Sequence, residues 1–403
     1  MNAGRRPLLA LFAADAVSLT GNTVSRVAIP WFVLTETGSA ALTGLTAFFT
    51  FLPTVIAAFF GGALVDRLGF RATSVVADVA SGATVALIPL LHLLVGIEIW
   101  QLLLLVFLGA LLDAPGTTAR EALLPDLAAQ AGMGLERATG IANAIHRGST
   151  LVGAPAAGLL IAVFGASNVL WLDAGSFLVS AAIVSALVPR PDAKAAAPTA
   201  GVMSHLFEGV RFIRQDRLLR AIVITVLLTN FLDAPLFTVL LPVLAREAYG
   251  SAAELGLMIG TFGGFALLGA LLFGAVGHRL SRRWTFVVAF FVAPIWLLGM
   301  STLPSLPVTL ALMALGGFAA GPINPILGTV EYERVPPELR GRVIGAITAG
   351  AWAAIPAGTL LGGVAVEWLG VGTTLLVIGI CYVLVTGFGF LNPAFAEMDR
   401  RGA

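Results

Sequence analysis

Apolar stretches of roughly 20 residues follow one another along this chain, with short polar breaks between them. A helix of about 20 apolar residues is long enough to cross the hydrocarbon core of a bilayer. Hydrophobic residues make up 58% of the 403 residues and charged residues 11%, whereas about 25% of a soluble domain is charged. A soluble protein needs a polar exterior, but a lipid-facing one does not. The sequence therefore predicts an all-α membrane protein.

Polar clusters, glycines and prolines divide the chain into twelve predicted transmembrane helices. The first six spans are 8–34, 42–65, 72–94, 99–119, 139–164 and 168–189, and the last six are 218–244, 254–276, 285–303, 308–330, 342–366 and 371–391. We expect the two sets to form separate six-helix bundles, over 1–189 and 218–403. The polar segment 190–217 between them predicts a cytoplasmic linker that carries an amphipathic helix.

The distribution of basic residues predicts the orientation of the chain in the membrane. Lys and Arg concentrate in the cytoplasmic loops of membrane proteins. With the N-terminus in the cytoplasm, every Lys and Arg lies on the cytoplasmic side except Arg246 in an outer loop, and Arg26 and Arg147 within spans. We therefore expect a multi-pass protein of the bacterial inner membrane with both termini in the cytoplasm.

The chain also repeats itself at a constant offset. Gly38–Leu45 is matched by Gly250–Leu257, and Pro30 is matched by Pro242, in each case 212 residues later. A constant offset through a span, a loop and a turn indicates two homologous halves. Parallel repeats of this kind predict alternating access, with a binding site between the halves near the bilayer midplane. A duplicated membrane scaffold without transport activity is the alternative.

Charge and motif content exclude several other classes of protein. The net charge of +1 argues against the concentrated basic face that nucleic-acid binding requires. The single Cys381 excludes an intrachain disulfide and a thiolate metal cluster. The four histidines are dispersed, and the sequence contains no phosphate-binding Gly-Lys-Ser/Thr loop. We therefore expect neither an enzyme nor an ATP-driven pump, and no metal or cofactor. The expected energy source is a proton gradient.

The segment 61–71 reads Gly-Gly-Ala-Leu-Val-Asp-Arg-Leu-Gly-Phe-Arg. It resembles the loop between helices 2 and 3 of the major facilitator superfamily, whose pattern is Gly, three residues, Asp-Arg, one residue, Gly, one residue, and then Arg or Lys. The resemblance implies twelve helices in two pseudo-symmetric six-helix bundles, with a cytoplasmic gate at this loop. The residues that match the pattern are Gly62, Asp66, Arg67, Gly69 and Arg71.

The resemblance also implies a partner for the acidic residue of this loop. In the family, the Asp latches onto the other half of the protein in the outward-facing state. We therefore expect the partner of Asp66 near Arg340, before span 11, and Asp78 in span 3 is a further candidate for the gate network. The second half departs from the pattern, because His278 stands where Asp66 stands and Ser281 replaces the following Gly. The second half thus lacks the residues of a matching latch.

Small residues in span 5 give a second resemblance. Gly153, Pro155 and Gly158 resemble the Gly-Pro-x-x-Gly core of the helix-5 motif of facilitator antiporters, with an Ala inserted before the Pro. The resemblance favours export over import and a contact between helices 5 and 8, although close packing in any membrane helix uses the same residues. The stretches Ala122–Leu127 and Val335–Arg342 resemble the bacterial drug-efflux branch that includes macrolide and siderophore exporters.

Charged residues inside the spans are candidates for function, because each costs about 2.5–3.5 kcal/mol at the centre of a membrane helix. Asp15, Asn22 and Arg26 lie on one face of span 1. Asp15 and Arg26 are about 16 Å apart along a helix that rises 1.5 Å per residue, so each needs water or a partner on another helix. Span 7 presents Asn230 and Asp233 on one arc. We expect both polar stripes to line the central cavity.

A proton-driven antiporter needs a carboxyl group that binds and releases a proton during transport. Asp15 and Asp233 are the first candidates and Asp113 in span 4 is a third, whereas a structural ion pair is the alternative role for such groups. Many proton-coupled members of the family carry a central arginine on helix 4. Span 4 reaches Arg120 only at its predicted cytoplasmic edge, so we expect no counterpart there, and Arg26 and Arg147 are the candidates in its place.

These features together predict a secondary active transporter that exports a bulky amphipathic drug or secondary metabolite in exchange for protons. Trp31 and Phe237 are candidates for an aromatic wall of the substrate cavity, beside Asn22, Arg26 and Asn230. Proton-coupled uptake of a small nutrient and a non-transporting membrane sensor are the alternatives. We expect a monomer in the lipid bilayer whose partners are a small amphipathic substrate and protons, with no nucleic acid.

Overall fold

The computed structural model describes residues 5–189 and 202–399, and the side chains of 58–67, 202–206 and 388–390 lie outside the described part. Thirteen helices account for nearly all of these residues, and no described residue lies in a strand. Their bounds are α1 Arg6–Thr37, α2 Ala40–Leu68, α3 Phe70–Leu94, α4 Ile99–Gln130, α5 Leu135–Phe164, α6 Ala166–Leu187, α7 Val202–Gln215, α8 Arg217–Tyr249, α9 Ala252–Arg279, α10 Arg282–Met300, α11 Leu306–Arg334, α12 Pro337–Leu369 and α13 Val371–Leu391.

The all-α prediction is confirmed. Within the described residues, eleven helices are long and apolar enough to cross a membrane, and α13 adds a shorter apolar stretch, Val371–Gly387. Every predicted span corresponds to one of these twelve helices, and the remaining helix, α7, falls in the predicted linker. The helices extend past the predicted spans by several residues, because hydropathy marks the apolar part of a helix and backbone hydrogen bonds continue beyond it.

The chain separates into two compact units. One contains Met1–Thr37 and Thr46–Pro198, and the other contains Gly38–Leu45 and Thr199–Ala403. In the first unit α1 packs against α5 and α6, while α3 packs against α4 and α6. In the second unit α9 packs against α11, α8 against α12, and α10 against α13. The described part of α7 packs against α12 and belongs to the second unit.

Equivalent turns in the two halves use glycine in the same conformation. Gly38 follows α1 with φ of 69°, and Gly250 follows α8 with φ of 78°. Gly165 and Gly370, with φ of 82° and 79°, precede α6 and α13. Only glycine adopts positive φ without a steric penalty, so these four residues set where the helices end. The sequence repeat therefore corresponds to a repeat of local backbone structure.

Close approach between α9 and α11 depends on glycines of α11. A Cβ atom added at Gly317 would lie 2.2 Å from the carbonyl oxygen of Phe262, and one at Gly321 would lie 2.5 Å from that of Ala266. The two glycines are four residues apart and therefore share one face of the helix. Membrane helices associate through small residues of this kind, because lipid supplies no hydrophobic drive for helix pairing.

Candidate functional site

A buried ionic cluster joins three helices of the first unit. Arg120 of α4 donates from Nε to Oδ1 of Asp15 on α1 at 2.7 Å, and from Nη1 to Oδ1 of Asp78 on α3 at 2.7 Å. The side chains of Arg120 and Asp78 are 1% and 0% exposed, and that of Asp15 is 21% exposed. Ser180 of α6 donates to the second oxygen of Asp78 at 2.7 Å. Every charge of this cluster therefore has an opposite charge in direct contact.

The position of Arg120 corrects the sequence analysis. Arg120 does not lie at the end of its helix, because α4 continues to Gln130. Its side chain is buried among the neighbouring helices. Gly116, one turn earlier, permits this: a Cβ there would lie 2.8 Å from the Cβ of Ala77 on α3. Helix 4 thus contributes a buried arginine after all. Hydropathy predicts an aqueous position for this charge, because a stretch just long enough to cross the hydrocarbon core ends before Arg120.

Asp113 and Asn22 form a second polar contact between α1 and α4. The side-chain amide of Asn22 donates to Oδ2 of Asp113 at 3.2 Å. The other oxygen, Oδ1, is buried and has no hydrogen-bond partner among the described residues. A carboxyl group with one free buried oxygen is available to hold a proton or to contact a polar group that enters the site.

Asp173 of α6 is a buried carboxyl group that the sequence analysis did not name. Its side chain is 1% exposed, and its oxygens accept hydrogen bonds from Ser25 of α1 and, at 3.3 Å, from Ser176. Space for it depends on Gly21, where an added Cβ would lie 2.5 Å from Oδ1 of Asp173. No ion pair reaches Asp173 within the described ranges. The rule that flags charges inside spans applies to Asp173 as well, because it lies within span 6.

The second unit places Asp233 beside a tyrosine. Tyr382 of α13 is 3% exposed, and its hydroxyl donates to Oδ2 of Asp233 on α8 at 2.9 Å. Asn230, one turn earlier, donates from its side chain to the carbonyl oxygen of Ala351 on α12 at 2.8 Å. No described basic side chain forms an ion pair with Asp233. The two carboxyl groups named first, Asp15 and Asp233, therefore differ: one has an arginine partner and the other a phenol.

The remaining cavity candidates lie in different surroundings. Arg26 is exposed, whereas Trp31 is 8% exposed and belongs to the packed interior of the first unit. Phe237 of α8 contacts Phe262 of α9 edge to face, with ring centroids 5.1 Å apart. Phe262 in turn lies 5.8 Å from the ring of Trp296 on α10. The second unit therefore holds a chain of three aromatic rings that spans three helices.

The gate residues are only partly described. Gly62 and the side chains of Asp66 and Arg67 fall outside the described part of the structure. Gly69 precedes α3 and has φ of 79°, a backbone conformation that favours glycine. Arg71 donates from Nε to the carbonyl oxygen of Val184 at the end of α6 at 3.5 Å. The gate role of the motif stays a prediction.

Two other predicted gate residues have partners inside their own units. Asp78 lies in the Arg120 cluster described above. Arg340 donates to the carbonyl oxygens of Val335 at 3.3 Å and Tyr332 at 3.0 Å, and its guanidinium lies 5.4 Å from the centre of the Tyr332 ring. In the second half, Ser281 has φ of −69° and caps α10 through the backbone N–H of Trp284. The change from Gly to Ser thus goes with a different turn.

The helix-5 motif packs within the first unit. Gly153 of α5 faces α1, where an added Cβ would lie 3.1 Å from the Cβ of Thr23. Pro155 lies inside α5 without ending it, and Gly158 is buried. Gly153 therefore permits a close approach between α5 and α1.

Sequence comparison identifies the relatives of this chain. A model of the Major Facilitator Superfamily matches residues 11–250 and 223–400. The multidrug efflux pump Tap of Mycolicibacterium fortuitum is 35% identical over 407 residues, covering 99% of this chain and 98% of that protein. Macrolide efflux protein A of Streptococcus pyogenes is 22% identical over an alignment that covers 93% of this chain and 94% of that protein.

Structure comparison agrees with the sequence comparison on the fold. A crystal structure of a variant of the nucleoside transporter NupG matches with a TM-score of 0.81 at 12% identity, covering 97% of this chain and 99% of that one. At this identity the likeness speaks for the fold alone. The internal repeat, the twelve apolar helices and the family match over both halves lead to one conclusion: the chain belongs to the Major Facilitator Superfamily.

Proposed function

We propose that this protein exports bulky amphipathic or weakly cationic compounds, such as antibiotics or secondary metabolites, in exchange for protons. The observation that carries the proposal is the 35% identity to a multidrug efflux pump over almost the whole of both chains. Few polar side chains of the kind that bind a sugar or an amino acid occur in the spans. An amphipathic substrate suits the half-buried aromatic pair Phe237 and Phe262.

Proton exchange requires a carboxyl group that changes charge within the membrane. An ionised carboxylate without a counter-ion is costly in apolar surroundings, whereas a neutral carboxylic acid is not. Asp233, which has a phenol and no cation as its described partner, suits this role. Asp15 suits a different one, because its proton would compete with the Arg120 guanidinium. We therefore place Asp233 first as the proton carrier, ahead of Asp15 and Asp113.

Proteoliposomes with an imposed pH gradient test this assignment. Addition of an amphipathic drug is expected to trigger proton release in the wild type. Asp233→Asn is expected to reduce this proton release at least tenfold, a factor that corresponds to about 1.4 kcal/mol. Asn keeps an oxygen that accepts the Tyr382 hydrogen bond but does not titrate. Asp15→Asn and Asp113→Asn complete the series. Asp126 is an exposed carboxyl group on α4, and Asp126→Asn is the matched control that is expected to behave as wild type.

Two results would contradict the assignment. Drug transport that does not depend on the pH gradient and persists in all three variants would rule out proton coupling. Proton release that is lost in Asp113→Asn alone would move the carrier to the site that Asn22 contacts.

Uptake of a small nutrient is the second candidate. Transport direction separates it from export: inside-out membrane vesicles accumulate an exported drug when the gradient is applied, whereas right-side-out vesicles accumulate an imported nutrient. The likeness to a nucleoside transporter concerns the fold and gives no separate support for nucleoside uptake.

The same proposal includes a location and an assembly. We place the protein in the bacterial inner membrane with both termini in the cytoplasm, because basic residues concentrate on that side. We expect it to act as a monomer without enzymatic activity or a cofactor. The substrate and protons are its partners in transport.

A further inference from the structure

Helix α7 has two faces with different surroundings. One face packs on α12: a Cβ added at Gly209 would lie 2.3 Å from the carbonyl oxygen of Arg342. Ile213, on the same face and 7% exposed, belongs to a core cluster with Val343 and Ile347 of α12. This face is occupied within the second unit and holds α7 in a fixed rotation.

The opposite face is exposed and mixes apolar with basic residues. Phe207 is 66% exposed, Val210 is 39% exposed, and Arg211 and Arg214 are exposed beside them. Their spacing of i, i+3, i+4 and i+7 puts all four on one face of the helix. A phenylalanine that is two-thirds exposed next to arginines is typical of a helix at the membrane interface.

The charges of this region are not balanced locally. Its two acidic residues are engaged elsewhere: Glu208 pairs with Arg342, and Asp216 pairs with Arg334 at 3.0 Å. Asp216 also caps α8 by accepting from the backbone N–H groups of Leu218 and Leu219. The exposed basic residues of the region, which form no ion pair within the described ranges, are Arg211, Arg214, Arg217 and Arg220.

The chain itself places these arginines at the level of lipid headgroups. Helix α8 is a membrane span that begins at Arg217, so its first turn marks the membrane surface. Only Asp216 separates α7 from it, and Arg220 donates to the carbonyl oxygen of Arg214 at 2.8 Å, which ties the two helices together. The exposed face of α7 is therefore one residue away in the chain from the start of a helix that is long and apolar enough to span a membrane.

We propose that this face, Phe207, Val210, Arg211 and Arg214 together with Arg217 and Arg220, binds the headgroups of anionic phospholipids such as phosphatidylglycerol. The guanidinium groups match phosphate in charge and in bidentate geometry. Phe207 and Val210 enter the boundary between headgroups and acyl chains. The inference does not depend on which compound the protein transports.

A local reporter tests lipid preference at this face. A bimane fluorophore is attached at Gln215→Cys in a Cys381→Ser background, which leaves the proposed face intact, and the full-length protein is reconstituted in liposomes. Quenching by brominated phosphatidylglycerol is compared with quenching by brominated phosphatidylcholine. We expect a clear preference for phosphatidylglycerol. Each basic residue near an anionic surface contributes about fivefold, so Arg211→Gln with Arg214→Gln is expected to reduce the preference about 25-fold.

Two matched variants separate charge from folding. Arg211→Lys with Arg214→Lys keeps the charge and is expected to keep most of the preference. Arg5→Gln with Arg6→Gln removes the same charge from the exposed start of α1 and is expected to change nothing at the reporter. Equal quenching by the two lipids in the wild type would overturn the proposal. So would an unchanged preference in the Gln variant, or loss of the preference when soluble glycerol phosphate is added, which would indicate a site for free phosphate.

Discussion

At the scale of single residues, the guanidinium of Arg120 links helices of the first unit through ion pairs. It contacts Asp15 and Asp78, and Ser180 satisfies the remaining oxygen of Asp78, so four helices meet at one set of charges. Such a cluster is stable only when it is complete, because a single charge left in an apolar interior has no water to solvate it.

Arg120→Met is therefore expected to lower the free energy of unfolding by about 3–5 kcal/mol, the cost of breaking a buried ion pair from one side. Thermal unfolding of the purified protein in detergent measures the effect. Arg137→Met on α5, where the arginine is exposed and forms no ion pair within the described residues, is the control and should stay close to wild type. Equal melting temperatures for both variants would mean that the cluster contributes little to stability.

At the scale of helices, glycines decide which pairs come into direct contact. Gly317 lies against Phe262 across the α9–α11 pair, and Gly116 brings α4 against α3 beside Arg120. In membrane helices this contact replaces the hydrophobic drive that lipid does not provide. The location of these glycines thus controls where polar groups on neighbouring helices can reach one another.

Gly317→Ala places a methyl group 2.2 Å from the carbonyl oxygen of Phe262, so α9 and α11 must move apart. Overpacking of this kind costs about 1–3 kcal/mol. Gly263→Ala on α9 has no heavy atom within 4 Å of the added Cβ and is expected to leave the stability unchanged or slightly raised. The melting temperatures of both variants and the wild type, measured side by side in detergent, test this expectation. A Gly317→Ala protein as stable as wild type would show that the helix pair tolerates separation.

At the scale of the whole molecule, the concentration of basic residues in the loops on one side of the twelve spans predicts how the chain inserts. A fluorescent protein fused after Ala403 is expected to mature in the cytoplasm. Alkaline phosphatase inserted at Gly250, directly after the last turn of α8 that carries Arg246, is expected to be active outside. Colony fluorescence and phosphatase activity check both. A C-terminal fusion that stays dark, together with an inactive phosphatase at Gly250, would contradict the predicted orientation.

Most of the fold could be predicted from the sequence, but much less of the candidate site could. Asp15 was expected to need a partner on another helix, and Arg120 is that partner, yet Arg120 itself was assigned to the cytoplasmic edge. Asp173 carries the signal of a charge inside a span and could have been named on that ground. Nothing local marks Tyr382, because a phenolic residue that faces another helix looks the same in the sequence as one that faces lipid. Their importance appears only from the contacts they make.

The sequence by itself determined the twelve spans, the repeat between the halves and the family. These follow from hydropathy and from local sequence patterns, which depend on residues near one another in the chain. The tertiary structure decided which charges pair, that Asp233 contacts Tyr382, and which face of α7 stays exposed. Those outcomes depend on how each helix is rotated and how closely it approaches its neighbours, and a single helix does not encode either.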